Sequence, residues 1–183
     1  MVALLLPKPA LSADGLLLRA WHHGDARVVL SAGDDELVSR YRYSLPHSPE
    51  DAQRWITKTR TDRLAGARLE LAIVERGAPV GSVALAEIAD GNAMVRYWLL
   101  LQGRGRGLAT ISVRLLAGWA FATLSLGRLA AFTELDNHAS QAVLERCGFV
   151  KEGRLRHHMT NHDGDRADTL LYGLLPQDIS SSP

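Results

Sequence analysis

The chain has 183 residues, of which 46% are hydrophobic and 22% charged, so we expect one soluble domain with its own core. A net charge of +1 and an aromatic content of 6% argue against a nucleic-acid partner. Cys147 is the single cysteine, which excludes an internal disulfide, and no apolar run reaches the ~20 residues of a membrane span. A cytoplasmic protein without a membrane partner is therefore expected.

The first third of the chain predicts one strand and two helical stretches. Residues Leu16–Arg19 form a short apolar run typical of a strand, and the polar stretch His23–Ser39 favours a helix. Ser48 precedes Pro49 and two acidic residues, which is the pattern of a helix N-terminus, and that helix should end near Gly66. Residues 1–10 and 178–183 are expected to be flexible ends.

The middle of the chain predicts a sheet. Three strand-like runs follow one another across short turns: Arg68–Glu75, Val80–Ile88 and Met94–Leu101. Turns this short join antiparallel neighbours.

The last third alternates helices with strands. Apolar residues at helical spacing predict a long helix over Leu108–Leu124, with Gly127 as its terminal glycine. The remaining predicted elements are a strand at Leu129–Thr133, a helix at Ala139–Cys147 that Gly148 stops, a strand from Phe149 and a last strand at Asp168–Leu175. The element order indicates an α+β fold.

The segment from Gln102 to Ala109 carries the chemistry. It joins a strand to the long helix and holds three glycines, which let backbone N–H groups approach a ligand. Unpaired N–H groups and the positive dipole end of the following helix would add to a phosphate site. Arg104 and Arg106 would supply charge for a diphosphate or a ribose phosphate.

This loop differs from the common nucleotide-binding motifs. A P-loop ends in Gly-Lys-Ser/Thr, whereas Gly107 is followed by Leu108. The dinucleotide fingerprint fails as well, because the glycines are spaced evenly by two residues.

The loop resembles the acetyl-CoA pyrophosphate loop of the GNAT acyltransferases, written Gln/Arg-x-x-Gly-x-Gly/Ala. Further segments resemble the Rim-type branch of that superfamily, the enzymes similar to ribosomal-protein N-terminal acetyltransferases. These segments are Tyr97–Leu99, Asn137–Ser140, Val143–Phe149, Glu152–Arg156, Asp163–Asp168 and Leu171–Leu174.

The resemblance implies a GNAT-like fold: a mixed, mostly antiparallel central sheet, helices on both faces and a splayed pair of central strands. It implies one GNAT domain over 1–183, acetyl-CoA as co-substrate and no metal. The coenzyme-binding residues it implies are Leu99, Leu100, Gln102, Gly103, Arg104, Gly105, Arg106, Gly107, Leu108, Ala109, Asn137 and Ser140. Asn137 would hydrogen-bond the pantetheine arm, although an asparagine before a helix could equally serve as its cap.

The resemblance also implies that the amine attacks the thioester directly. Ser140 is the candidate to protonate the departing thiolate, with a helix-capping hydroxyl as the alternative. Glu87 is the first candidate for the base, Glu134 is the second, and either could be an ordinary carboxylate at a strand end. Cys147 is expected to be a small core residue rather than a nucleophile.

The histidines near the C-terminus do not predict a metal site. His157 and His158 are adjacent, so on a strand they would point to opposite faces. Asp163–Gly164 is instead typical of a hairpin turn.

The acceptor remains open at this point. Rim-type chains often carry glycine before Tyr-Trp-Leu, whereas this chain has Arg96, which could narrow the acceptor groove or attract an acidic group. The acceptor could be a protein N-terminus or a small-molecule amine, and the acyl group could be acetyl or another, such as succinyl. A catalytically idle acyl-CoA sensor is the alternative from another functional class, and the resemblance allows a homodimer.

Overall fold

The computed structural model describes residues 3–41 and 45–179, and one sheet of eight strands lies at its centre. The strands are β1 Leu11–Ala13, β2 Leu16–Ala20, β3 Arg68–Glu75, β4 Ala78–Ala89, β5 Asn92–Leu99, β6 Arg128–Glu134, β7 Val150–Thr160 and β8 Arg166–Leu174. They lie in the order β1-β2-β3-β4-β5-β6-β8-β7. Every neighbouring pair is antiparallel except β5 and β6, which confirms the mixed, mostly antiparallel sheet.

Six helices are present in the described ranges. They are α1 Ala26–Gly33, α2 Glu36–Arg40, α3 Pro49–Leu64, α4 Leu108–Leu124, α5 His138–Arg146 and α6 Pro176–Ile179. Short 3-10 turns at His23–Asp25 and Leu101–Gly103 precede α1 and follow β5.

The two sheet faces carry separate cores, and helices cover both. On one face, Val113 and Leu116 of α4 and Leu144 of α5 pack on strand residues such as Leu85 and Val95. On the other face α1, α2 and α3 cover a second cluster with other strand residues. The prediction of helices on both faces is therefore confirmed.

The predicted helix at His23–Ser39 is broken in the structure. A 3-10 turn and two helices occupy the stretch, and α1 ends at Gly33. Asp35 then starts α2 as its N-cap, since its carboxylate accepts hydrogen bonds from the backbone N–H groups of Leu37 and Val38. The predicted start of α3 is confirmed, because the Ser48 hydroxyl accepts a hydrogen bond from the Asp51 N–H at 3.1 Å.

The N-terminal stretch is tied to the domain more firmly than the sequence predicts. Leu4 is buried and exchanges backbone and side-chain hydrogen bonds with Arg63 at the end of α3, at 3.0 and 2.7 Å. β1 is an additional edge strand that the sequence does not reveal. Residues 1–2 and 180–183 lie outside the described ranges.

The predicted bounds of α4 are confirmed, but the prediction that Gly127 ends this helix is wrong. Ser125 takes the left-handed conformation at the helix end, with φ 53°. Gly127 instead donates its N–H to the Gly91 carbonyl at 2.7 Å and so joins the start of β6 to the β4–β5 turn.

The strands β5 and β6 separate after a short parallel contact. They pair only from Asn92–Met94 to Arg128–Ala130. Beyond these residues both strands continue, while β4 and β8 pair with their outer edges. This is the splayed central pair that the resemblance implies, and it opens a gap through the sheet.

Candidate functional site

A cavity of about 650 Å³ occupies the gap between β5 and β6. Val95–Leu99 and Ala131–Glu134 form its two sides, and residues from α2, α4, α5 and the glycine loop complete the wall. Because the strands no longer pair there, their inner edges offer N–H and C=O groups for a ligand that carries amides.

The glycine loop and the start of α4 form one end of this cavity. Gly105 and Gly107 adopt φ values of +71° and +75°, in the left-handed region that favours glycine. A Cβ atom at either position would meet no protein atom within 4 Å, so protein crowding is not what requires glycine there. No side chain caps α4, and its first residues, Leu108–Thr110, line the cavity. N–H groups at a helix start without a side-chain cap are of the kind that can bind an anion.

The two loop arginines form ion pairs with residues of the domain. Arg104 pairs with Asp35 at 2.5 Å and donates from Nε to the Leu99 carbonyl at 2.9 Å. Arg106 forms a two-bonded ion pair with Glu75 and lies outside the cavity lining. Both guanidinium groups therefore fix the loop against the domain.

Most of the implied coenzyme residues line the cavity. Eight of the twelve implied residues do so: Leu99, Arg104, Gly105, Gly107, Leu108, Ala109, Asn137 and Ser140. The others turn away from it: Leu100 is buried in the second core, Gln102 lines a separate small pocket, Gly103 packs near Val80, and Arg106 pairs with Glu75.

Ser140 and Tyr97 meet at the middle of the cavity. The Tyr97 hydroxyl lies 2.8 Å from Ser140 Oγ and 3.1 Å from the Ser140 carbonyl oxygen. Asn137, not Ser140, caps α5, since its Oδ1 accepts a hydrogen bond from the Ser140 N–H at 3.0 Å. The Asn137 side chain still has an NH₂ donor for a ligand. The sequence marks Tyr97 only as part of a strand motif, so its contact with Ser140 is a feature that sequence reasoning missed.

The two candidate bases occupy different places. Glu134 lies at the end of β6 and lines the cavity. Glu87 lies in the irregular end of β4, with a side chain 60% exposed, and pairs with Arg96 at 2.5 Å. Arg96 lines the cavity, whereas Glu87 does not. Glu134 and Ser140 therefore line the same cavity, whereas Glu87 is connected to it only through its ion pair with Arg96.

The cavity wall also carries apolar and aromatic side chains, which we call its apolar half: Leu37, Val38, Tyr41, Trp98, Phe132 and Met159. Burial raises the pKa of Tyr41 above its usual value, and nearby Asp136 and Glu134 raise it further. Tyr41 is therefore a neutral phenol at physiological pH.

His158 on β7 contacts Phe132, which belongs to this apolar half of the cavity wall. The rings of His158 and Phe132 are 4.4 Å apart, and His158 Nδ1 is 2.9 Å from the Thr169 hydroxyl. The predicted hairpin turn at Asp163–Gly164 is confirmed between β7 and β8, with φ +93° at Gly164. Among the described residues no three His, Cys, Asp or Glu side chains form a metal-ligating group.

Cys147 packs at the end of α5. It is 3% exposed, and burial raises the pKa of its thiol to about 12, so the nucleophilic thiolate is scarce at neutral pH. This confirms the prediction of a core residue.

No helix in the described part of the chain is long and apolar enough to cross a membrane.

Known proteins share this sequence pattern and fold. Residues 15–150 match the family described as Acetyltransferase (GNAT) domain. The putative ribosomal N-acetyltransferase YdaF of Bacillus subtilis is 31% identical over 112 residues, which are 60% of this chain and 61% of that protein. Spermidine N(1)-acetyltransferase of Vibrio cholerae is 22% identical over 142 residues, covering 76% of this chain and 82% of that enzyme.

The solved structures agree on the fold. RimJ of Mycobacterium smegmatis, in complex with CoA-disulfide, superposes with a TM-score of 0.84 over 91% of this chain and 85% of that chain, at 22% identity. These relatives confirm the resemblance to the Rim-type branch. Since the family match covers most of the domain, the chain belongs to the GNAT family of acetyltransferases.

Proposed function

We propose that this enzyme transfers an acetyl group from acetyl-CoA to the α-amine of a peptide N-terminus or a similar small amine. The observation that carries the proposal is the gap between β5 and β6. It connects an anion-binding loop to a hydroxyl pair and a carboxylate within one cavity.

The coenzyme would lie along this gap. The N–H groups of the loop and of the first turn of α4 would hold the diphosphate. The open edges of β5 and β6 and the Asn137 amide would hold the pantetheine arm, which contains two amides. Coenzyme A supplies the activated acyl group as a thioester.

In this proposal Ser140 assists the leaving thiolate, and its contact with the Tyr97 hydroxyl supports that role. When Tyr97 donates its proton to Ser140 Oγ, the serine proton is directed elsewhere and can reach the sulfur. A thiolate is a modest base, so a hydroxyl donor is a sufficient acid.

We propose Glu134 as the carboxylate that accepts the proton of the amine, and its position in the cavity lining, which Glu87 does not share, supports this choice. The required help depends on the acceptor. Deprotonation at pH 7 costs about 1 kcal/mol for an α-amine and about 4.6 kcal/mol for a lysine side chain. A single carboxylate acting directly or through water suits the α-amine.

We assign the apolar half of the cavity wall to the acceptor and call it the acceptor half, and its chemistry favours a peptide end over a polyamine. Among the described lining residues Glu134 is the one carboxylate, and Arg96 faces the same space. A polyamine carries several positive charges and would need several carboxylates. The apolar side chains of Leu37, Phe132 and Met159 instead suit the first side chain of a peptide.

The test is a comparison of acceptors at saturating acetyl-CoA, with free thiol release as the rate and mass spectrometry to locate the acetyl group. Peptides with a free N-terminus should give a kcat/KM at least about tenfold above spermidine, which corresponds to about 1.4 kcal/mol. The same peptides with a blocked N-terminus and an internal lysine are the control and should react slowly. Preference for spermidine or for the blocked peptide would contradict the proposed acceptor class.

A further inference from the structure

The short helix α2 lies between the coenzyme loop and the acceptor half of the cavity. Leu37 and Val38 from this helix, and Tyr41 directly after it, line the cavity. Leu37 is 42% exposed although it is apolar, so part of its side chain remains open for contact with another molecule. The position of α2 therefore determines the shape of one acceptor wall.

Asp35 joins the beginning of α2 to the coenzyme loop. One oxygen of this carboxylate, Oδ1, accepts hydrogen bonds from the N–H groups of Leu37 and Val38, each at 3.1 Å. The same oxygen accepts from Arg104 Nη2 at 2.5 Å. Arg104 also holds the Leu99 carbonyl at the end of β5, so one cluster links α2, the loop and the splayed strand.

The Asp35–Arg104 ion pair is largely shielded from solvent. The two side chains are 14% and 26% exposed, respectively. The ion pair at the other end of α2, Arg40 with Asp136, has the same distance of 2.5 Å, but its side chains are 46% and 52% exposed. Solvent screens exposed pairs strongly, so the Asp35 end is the stronger connection.

We propose that Asp35 is a positioning residue that couples the coenzyme loop to the acceptor wall on α2. The inference rests on the proposed function, since it takes the loop as the coenzyme site. Coenzyme that orders Arg104 and the loop also fixes Asp35, and thereby α2 and Leu37. The coupling is reciprocal, so bound acetyl-CoA raises the affinity for the acceptor amine.

Asp35→Asn is the informative variant. Asparagine remains a good N-cap, so α2 should still form, but the negative charge that faces Arg104 is removed. Asp34→Asn is the matched control, because Asp34 is the adjacent residue, 70% exposed, and its recorded ion-pair partner is His47 at 3.9 Å.

Hydrogen exchange of residues 36–40 gives a measurement that needs no acceptor. Acetyl-CoA should slow exchange in this segment of the wild type and of Asp34→Asn about fivefold or more, and the slowing should be lost in Asp35→Asn. The acetyl-CoA Kd, measured by calorimetry, should change less than about threefold in Asp35→Asn. With a reactive peptide, its KM should rise about 5- to 20-fold while kcat changes little.

The outcomes separate the coupling from the proposed function. If acetyl-CoA binds the wild type without slowing exchange in 36–40, or if Asp35→Asn retains both the slowing and the KM, the coupling is wrong. A wild type that binds no acetyl-CoA would instead contradict the proposed function.

Discussion

The proposed coenzyme half and the proposed acceptor half of the cavity are built in different ways. In the coenzyme half the groups that would hold the ligand are backbone N–H groups of one continuous segment, Gly105–Thr110. The acceptor half is assembled from side chains of α2, β5, β6 and β7, such as Leu37 and Met159, which lie far apart in sequence. Backbone recognition is therefore encoded locally, whereas the acceptor cleft depends on how distant elements pack.

The largest effect is expected from a substitution that displaces the backbone N–H groups of the glycine loop. Valine at Gly105 would have to adopt φ +71°, and its side chain would enter the space left beside the loop. We expect Gly105→Val to weaken acetyl-CoA binding about 100-fold or more, measured by calorimetry, because the N–H groups lose their alignment.

A second glycine controls for backbone strain. Gly77 lies in the β3–β4 turn with φ +82° and open space around its Cβ position, and it is not among the residues that line the cavity. Gly77→Val should lower the melting temperature by a similar amount and leave the Kd unchanged. Equal Kd values for both variants would remove the loop from the account.

The next effect concerns the hydroxyl pair at the boundary of the two halves. Ser140→Ala should lower kcat about 30-fold, less than the 10²–10⁴ of stronger acid–base catalysts, because a thiolate leaves readily. The Kd for acetyl-CoA should remain within about threefold of the wild type. Tyr97→Phe keeps the ring and should show a smaller loss of kcat. Wild-type turnover in Ser140→Ala would reduce Ser140 to a structural residue.

Variants of two glutamates test which carboxylate acts as the base. Glu134→Gln should lower kcat/KM about tenfold at pH 7. The deficit should shrink toward pH 9, because an α-amine with a pKa near 8 then loses its proton to solvent. Glu87→Gln should change the rate less than about twofold, since Glu87 lies outside the cavity lining. The reverse pattern would transfer the role of base to Glu87.

The smallest effect at neutral pH concerns Cys147, behind the coenzyme half. Burial raises the folded pKa of this thiol from its ordinary value of 9.0 to about 12, so the unfolded chain loses the proton first as pH rises. Its contribution to stability is complete below pH 9 and falls by about 1.4 kcal/mol per pH unit between about 9 and 12. Denaturant unfolding of wild type and Cys147→Ala should give a difference that narrows over this window, and parallel curves would contradict the assignment.

Features that depend on short-range spacing could be predicted from the sequence. The bounds of α4, the Ser48 cap and the glycine loop all follow from residues within a few positions of one another. The resemblance added the splayed strands and Asn137, whose cap is also a local pattern.

Features that depend on long-range partners could not be predicted. The ion pair of Arg106 with Glu75, which lies 31 residues earlier, is one such feature. Tyr97 contacts Ser140, which lies 43 residues later in the sequence. Gly127 donates its N–H to the carbonyl of the distant Gly91 and does not end α4. The choice between Glu87 and Glu134 likewise required the position of each relative to the cavity.

The most direct test of the account is calorimetric titration of the purified chain with acetyl-CoA, with succinyl-CoA in parallel. We expect one site of micromolar affinity for acetyl-CoA, or about −8 kcal/mol, and weaker binding of succinyl-CoA, which carries an extra carboxylate. Tighter binding of succinyl-CoA would keep the coenzyme site and change the acyl group. Absence of binding to either thioester would contradict the claim that the loop and the splayed strands form a coenzyme site.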